Sequence, residues 1–263
     1  MPDIALSRRF LNQIAYGEAV ASVASEENTL AVFEGMKDVA EGIEGFSLDY
    51  VASNFTLQRT LVEQAEEDYR ARELTLASEV ASDVTSRDKR DGAFNDLSDI
   101  LDRVFTTLKG DVTPKRMRAL GMEFAPPTTF DVIDDYAQNV VHQCRLEENQ
   151  APIQPLLGAP YTVAALAALI EPRLATYNAL TQALDDDLRD TQRVRAERDV
   201  ASDRFQRVVL NAARILEGLF RQANLDAIAD RIRPSQARGS GRLDLDPLPD
   251  APPTDPATPP DTP

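Results

Sequence analysis

The chain has 263 residues, of which 43% are apolar, and it carries a formal net charge of −16 and one cysteine. This length and apolar content predict a folded protein with a substantial core. The negative charge disfavours nucleic acid as a specific partner, because non-specific binding needs a cationic surface, and a lone cysteine excludes an intramolecular disulfide.

The charged residues are strongly biased, with 24 Arg against four Lys and 27 Asp against 17 Glu. This resembles the composition of proteins from halophiles, in which short, strongly hydrated carboxylates keep the surface soluble when salt screens repulsion. A GC-rich genome would produce a similar bias, so both origins stay open. Neither a run of 18 apolar residues nor a signal-peptide pattern after Arg8 and Arg9 is present. We therefore expect a cytoplasmic protein without membrane insertion.

The first segment, residues 1–52, has the pattern of a helical hairpin. Apolar or small residues at steps of three and four predict one helix from Leu6 to Ala24 and a second from Leu30 to Ile43. Gly42 and Gly45 weaken the end of the second helix.

The second segment, residues 53–150, predicts a long helix that begins near Ser53 and ends at Lys109–Gly110. Its middle, residues 85–93, is almost wholly polar. A turn at Asp91–Gly92 would divide the helix, and we favour the continuous alternative. A short helix begins at Pro114 and another near Thr128.

The third segment, residues 151–233, begins with a proline-rich linker and continues as a long helix from about Thr162 to Gln222. Pro172 is compatible with this helix as an early kink or as its first turn. The helix has a polar section of its own at residues 185–204, so each long helix has a polar middle.

The second and third segments are predicted to be copies of one unit. At an offset of 115 residues, similar types align throughout: Leu101-Asp102, Val104-Phe105, Asp111 and Arg116-Met117-Arg118 with Leu216-Glu217, Leu219-Phe220, Asp226 and Arg231-Ile232-Arg233. We expect the copies to bury their apolar stripes against each other as an antiparallel bundle of four or more helices. Burial across a homodimer is the alternative.

The last segment, residues 234–263, contains nine of the 17 prolines and five Asp. Such a segment buries too little apolar surface to offset the ordering entropy, which predicts a disordered acidic tail.

No catalytic, metal-binding or cofactor-binding residues are predicted. His142 and Cys144 are two positions apart and point to nearly opposite sides of a helix, which disfavours a nucleophile and base pair. Asp185, Asp186 and Asp187 lack the loop pattern of a calcium site, and no glycine-rich phosphate loop is present.

The sequence thus predicts an all-α protein, most simply a non-enzymatic interaction or scaffold protein that binds a protein partner or itself. The candidate partner-binding residues lie in the two polar sections: Arg87, Asp88, Lys89, Arg90, Arg193, Arg195, Glu197 and Arg198. These residues could instead form weak pairs on a solvated helix. Two other functions stay open, a small-ligand or enzymatic bundle whose site is invisible in the sequence, and an adaptor to nucleic acid or a membrane surface through Arg-rich patches such as Arg116–Arg118.

Overall fold

The computed structural model describes residues 7–155, 159–235 and 240–241. Seven α-helices account for most of them: α1 Arg8–Ser22, α2 Glu26–Met36, α3 Leu48–Asp111, α4 Pro114–Ala119, α5 Phe130–Arg145, α6 Val163–Gln222 and α7 Asp226–Ile232. One turn of 3₁₀ helix covers Glu147–Asn149, and an isolated bridge joins Ile153 to Tyr161. The described residues contain no extended strand, and the predicted all-α class is confirmed.

The two long helices are continuous. α3 has 64 residues and α6 has 60, so residues 85–93 and 185–204 are helical and no turn occurs at Asp91–Gly92. Pro172 lies inside α6, nine residues after its start at Val163, so it does not form the first turn of the helix. The prediction for α2 is wrong at its end, because the helix stops at Met36 and Gly42 takes a left-handed φ of 86° in the following turns.

The chain forms two compact units, and their boundaries differ from the three helical segments expected from the sequence. Unit 1 comprises the described residues within Met1–Thr75 and Ala196–Pro263, and unit 2 is Leu76–Arg195. The proline-rich linker does not separate units, because α5 before it and the first half of α6 after it contribute to one hydrophobic core.

Unit 1 contains α1, α2, α7 and the adjoining parts of α3 and α6. Its largest buried side chains are aromatic, and their contacts show that α3 and α6 run antiparallel. Phe55 contacts Phe220 with ring centroids 5.6 Å apart, and further along α3 Tyr69 contacts Phe205 at 5.7 Å. The Tyr16 hydroxyl donates to the Ile232 carbonyl at 3.1 Å and fastens α1 to α7.

Unit 2 contains α4, α5 and the other parts of α3 and α6. Phe94 of α3 packs on Phe130 at the start of α5, with ring centroids 4.2 Å apart, and the Tyr177 hydroxyl of α6 donates to the Phe130 carbonyl at 3.2 Å. α5 is therefore held against both long helices, with Ile133, Ala137 and Val140 buried.

The internal duplication stays a prediction. Most of the expected tail lies outside the described residues, but Ser240 and Gly241 are described and pack on α1. The Arg9 Nε donates to the Ser240 carbonyl at 3.0 Å, and the Asn12 side-chain amide donates to the Gly241 carbonyl at 3.3 Å.

Candidate interaction surface

Six of the predicted partner-binding residues lie in unit 2. Arg87, Asp88, Lys89 and Arg195 are exposed, as their spacing predicts for a solvated helix face. Arg90 is half-buried, because its guanidinium lies 4.3 Å from the centre of the Phe130 ring and pairs with Asp91 at 2.6 Å. Arg193 pairs with Asp190 at 3.2 Å.

The six residues do not form one cluster. In unit 2 the hydroxyl of Thr191 donates to the Asp83 carboxylate at 3.0 Å, which places these two residues at one level of the antiparallel helices. Arg87 lies four residues beyond Asp83 in α3, and Arg195 lies four residues beyond Thr191 in the opposite direction. At 1.5 Å per residue, the two groups are separated by about 12 Å along the helices.

The two remaining residues, Glu197 and Arg198, lie in unit 1 and are engaged within the chain. Glu197 pairs with Arg72 of α3 at 2.7 Å. Arg198 is half-buried, and it pairs with Asp199 at 3.1 Å and approaches Glu73 at 3.5 Å. Part of the polar character of the α6 middle section therefore serves contacts to α3.

Buried polar contacts in unit 2 explain more of these polar sections. Asp83 and Thr191 are both buried, at positions where the apolar pattern would place a core residue. The Ser86 hydroxyl donates to the Asp187 carboxylate at 2.5 Å, one helical turn away. The sequence did not predict these pairs, because the spacing of polar residues along a helix does not tell which of them are buried between two helices and which are exposed.

An apolar surface on α3 and α6 in unit 1 is not apparent from the sequence pattern. Leu61 and Ile215 belong to the apolar stripes of the two long helices, yet they are 41% and 44% exposed, and Leu57 is 52% exposed. Tyr50, one heptad before Leu57, is also exposed, and Val208 is half-buried. Leu57 therefore places a large apolar side chain in contact with solvent.

These residues share one side of the helix pair. Asp68 of α3 pairs with Arg204 of α6 at 3.9 Å. This contact identifies one side of the helix pair, on which a stripe of α3 lies next to a stripe of α6. Leu61 precedes Asp68 by seven residues, so both lie on one stripe of α3. Val208 and Ile215 follow Arg204 by four and eleven residues and occupy the matching flank of α6.

We name this surface the α3–α6 face. It consists of Tyr50, Leu57, Leu61, Asp68 and Arg72 of α3 with Glu197, Arg204, Val208 and Ile215 of α6. It is the side of the helix pair away from α1 and α2. Those helices approach α6 closely elsewhere: a Cβ added at Gly17 would lie 2.5 Å from the Phe205 ring, and one at Gly35 would lie 2.6 Å from the Ala223 carbonyl.

The Arg-rich patch at α4 is partly engaged within the chain. Arg116 donates to the Ala151 carbonyl, and Arg118 pairs with Glu123 at 2.6 Å. These contacts reduce the number of cations that the patch can offer to an anionic partner.

His142 and Cys144 lie in different environments on α5. Cys144 is fully buried, and burial raises the pKa of its thiol to about 11. His142 is exposed. A thiol with this pKa is almost wholly protonated at neutral pH, which is unfavourable for a nucleophile.

Comparisons with protein-family models, curated proteins and solved structures found no match to this chain. Among the described residues, no helix combines the length and apolarity that crossing a bilayer requires.

Proposed function

We propose that the protein is a non-enzymatic helical interaction or scaffold protein and that the α3–α6 face is its docking surface. The observation that carries the proposal is the exposure of Leu57, Leu61 and Ile215 on one side of two antiparallel helices. Contiguous apolar side chains with a polar rim are typical of protein interaction sites, whereas single exposed apolar residues are common on any surface. Here the rim is supplied by the ion pairs of Asp68 and Arg72.

A photo-crosslinking amino acid at position 61 tests this function in cells that express the full chain. We expect covalent adducts at position 61 and none at position 30. Leu30 is a suitable control because it is an α2 residue of the same unit and is 50% exposed. Equal yields at the two positions, or no adduct at either, would contradict docking at this face.

The polar sections provide a second, independent route to a partner. Arg87 and Lys89 are exposed on unit 2, and they could recognise an acidic protein surface. Their predicted role in binding a partner stays a proposal.

One observation favours the alternative of a small-ligand-binding bundle. A cleft of about 630 Å³ lies in unit 1 between α2 and α3, and its lining combines the Phe55 ring with Arg59 and Glu63. Its volume is in the range of ligand pockets. A thermal-shift screen of small metabolites against the native chain and Ala52→Trp, which narrows this cleft, tests the alternative. A stabilising compound that loses its effect in the variant would support it.

A further inference from the structure

We infer that the α3–α6 face binds a second copy of this chain, with α3 of each copy lying across α6 of the other. The inference rests on the proposed function, because it assigns an occupant to the same docking surface. Three features of the face carry it: the matching levels of its apolar residues, the alternation of its charges and its size.

The apolar residues of the two helices lie at the same levels. The Phe55–Phe220 and Tyr69–Phe205 ring contacts fix the antiparallel register of α3 and α6 in unit 1. Leu57 and Leu61 lie between these two levels on α3, and Val208 and Ile215 lie between them on α6. A twofold axis parallel to the helices keeps every level unchanged while it exchanges the helices. It therefore brings Leu57 and Leu61 of one copy to the level of Ile215 of the other, with Val208 about 8 Å further along the same flank.

The charged residues are also self-complementary under this rotation. Within one copy, Asp68 is level with Arg204 at 3.9 Å, and Arg72 is level with Glu197 at 2.7 Å. Because the signs alternate both along and across the helices, placing α3 over the partner copy's α6 puts each charge opposite its counter-charge. These four residues have no net charge in a chain whose formal charge is −16, so the face is a region of low self-repulsion.

The face is large enough for a specific dimer of moderate affinity. The stretch from Tyr50 to Arg72 is about 33 Å long, and two helices side by side are about 20 Å wide. The footprint is about 650 Å² per copy, which is slightly below the roughly 800 Å² of a standard interface and above the size of most fortuitous contacts. We therefore expect dissociation within a measurable concentration range.

Light scattering during size-exclusion chromatography of the full chain, from about 1 µM to about 300 µM, tests the dimer. We expect the molar mass to rise from that of one copy to that of two. Leu61→Asp and, on the other helix, Ile215→Asp should each raise the dissociation constant by about tenfold or more, because each places a carboxylate in an apolar contact. Leu30→Asp, which adds the same charge in place of a similarly exposed leucine, should not change it.

The arrangement is tested by photo-crosslinking at position 61 in a mixture of unlabelled and heavy-isotope-labelled full chains. We expect mixed-isotope adducts between position 61 and residues 204–219 of the second copy. A monomer at every concentration overturns the inference, as does an adduct within one chain to residues 242–263 or an adduct to α3 of the second copy. If one variant loses its helical circular dichroism signal and therefore does not fold, the variant on the other helix is used for the test.

These outcomes separate the two proposals. If the purified chain is monomeric and position 61 still captures a different protein in cells, the second copy is excluded and the docking function stands. If position 61 yields no adduct in cells or in the purified chain, both proposals fail.

Discussion

The buried contact between Thr191 and Asp83 in unit 2 predicts a measurable asymmetry between single and double substitutions. Both residues are buried, and the Thr191 hydroxyl donates to the Asp83 carboxylate at 3.0 Å. Thr191→Val keeps the side-chain shape and removes the donor, which leaves a buried carboxylate oxygen without this partner. The expected loss in the free energy of unfolding is about 1–3 kcal/mol.

The double variant Asp83→Leu with Thr191→Val should recover most of this loss. Replacing both polar partners by apolar groups removes the desolvation penalty together with the hydrogen bond, and such replacements are often neutral or stabilising. The mechanism therefore predicts that the double variant is more stable than Thr191→Val alone, which simple additivity of two damaging substitutions would not give.

Thermal unfolding followed by circular dichroism measures this cycle, with urea unfolding as a second probe of two-state behaviour. A loss of 1 kcal/mol corresponds to a decrease of roughly 2–4 °C in Tm for a domain of 150–250 residues. Thr75→Val is the matched control, because Thr75 is exposed and its hydroxyl donates only to the Ala71 carbonyl of its own helix. A change of less than about 0.5 kcal/mol in Thr191→Val, equal to the control, would refute the reasoning.

Three further predictions follow from other parts of the structure. Gly35→Ala should destabilise the protein, because its Cβ would lie 2.6 Å from a backbone carbonyl, whereas Gly92→Ala, with nothing within 4 Å in α3, should stabilise it by up to about 1 kcal/mol in urea unfolding. If both substitutions stabilise, the close approach at Gly35 is not rigid. Burial raises the pKa of the Cys144 thiol from 9.0 to about 11, so its contribution to stability is present below pH 9 and is lost as pH rises to about 11; this part of the alkaline decrease should be absent in Cys144→Ala. Arg87→Glu with Lys89→Glu should abolish binding of an acidic partner without changing Tm by more than about 1–2 °C; with a photo-crosslinking amino acid at position 88, between the two substituted residues, adducts in cells that are unchanged in this variant would exclude the polar section as a docking site.

The helices were largely predictable from the sequence because local signals agree with the packing. Pro114 begins α4 with the Thr113 hydroxyl as its cap, and the Ser25 hydroxyl accepts from the Asn28 amide at the start of α2. The continuity of α3 through its polar section was harder to predict, since Gly92 lowers helix propensity there. Burial of Phe94 and Leu97 in the core of unit 2 offsets that cost.

The candidate site was predicted less well, because an apolar stripe is wide enough to include both core residues and residues at its exposed edge. Leu61 and Ile215 have the same spacing from their neighbours as the core residues Ala65 and Ala212. Periodicity fixes the angle of a side chain around its helix, but it does not tell whether another helix lies at that angle. Only the positions of α1 and α2, on the other side of the pair, show that this flank is open in unit 1.

Charged residues show the converse ambiguity: a charged side chain that is expected to be exposed can instead contact the neighbouring helix. Arg87 and Arg198 both belong to polar sections and were both predicted to meet a partner, yet the structure exposes Arg87 and directs Arg198 toward Glu73. A partly buried ionic contact such as this one limits which registers of two long helices are compatible with packing, because a slip would leave a charge without its counter-charge. In unit 1 such contacts can align α3 with α6, and that alignment is also what places Leu61 nearly level with Ile215. Of the residues expected to bind a partner, Glu197 and Arg198 make such contacts to α3 in unit 1, so these two contribute to the register on which the α3–α6 face depends.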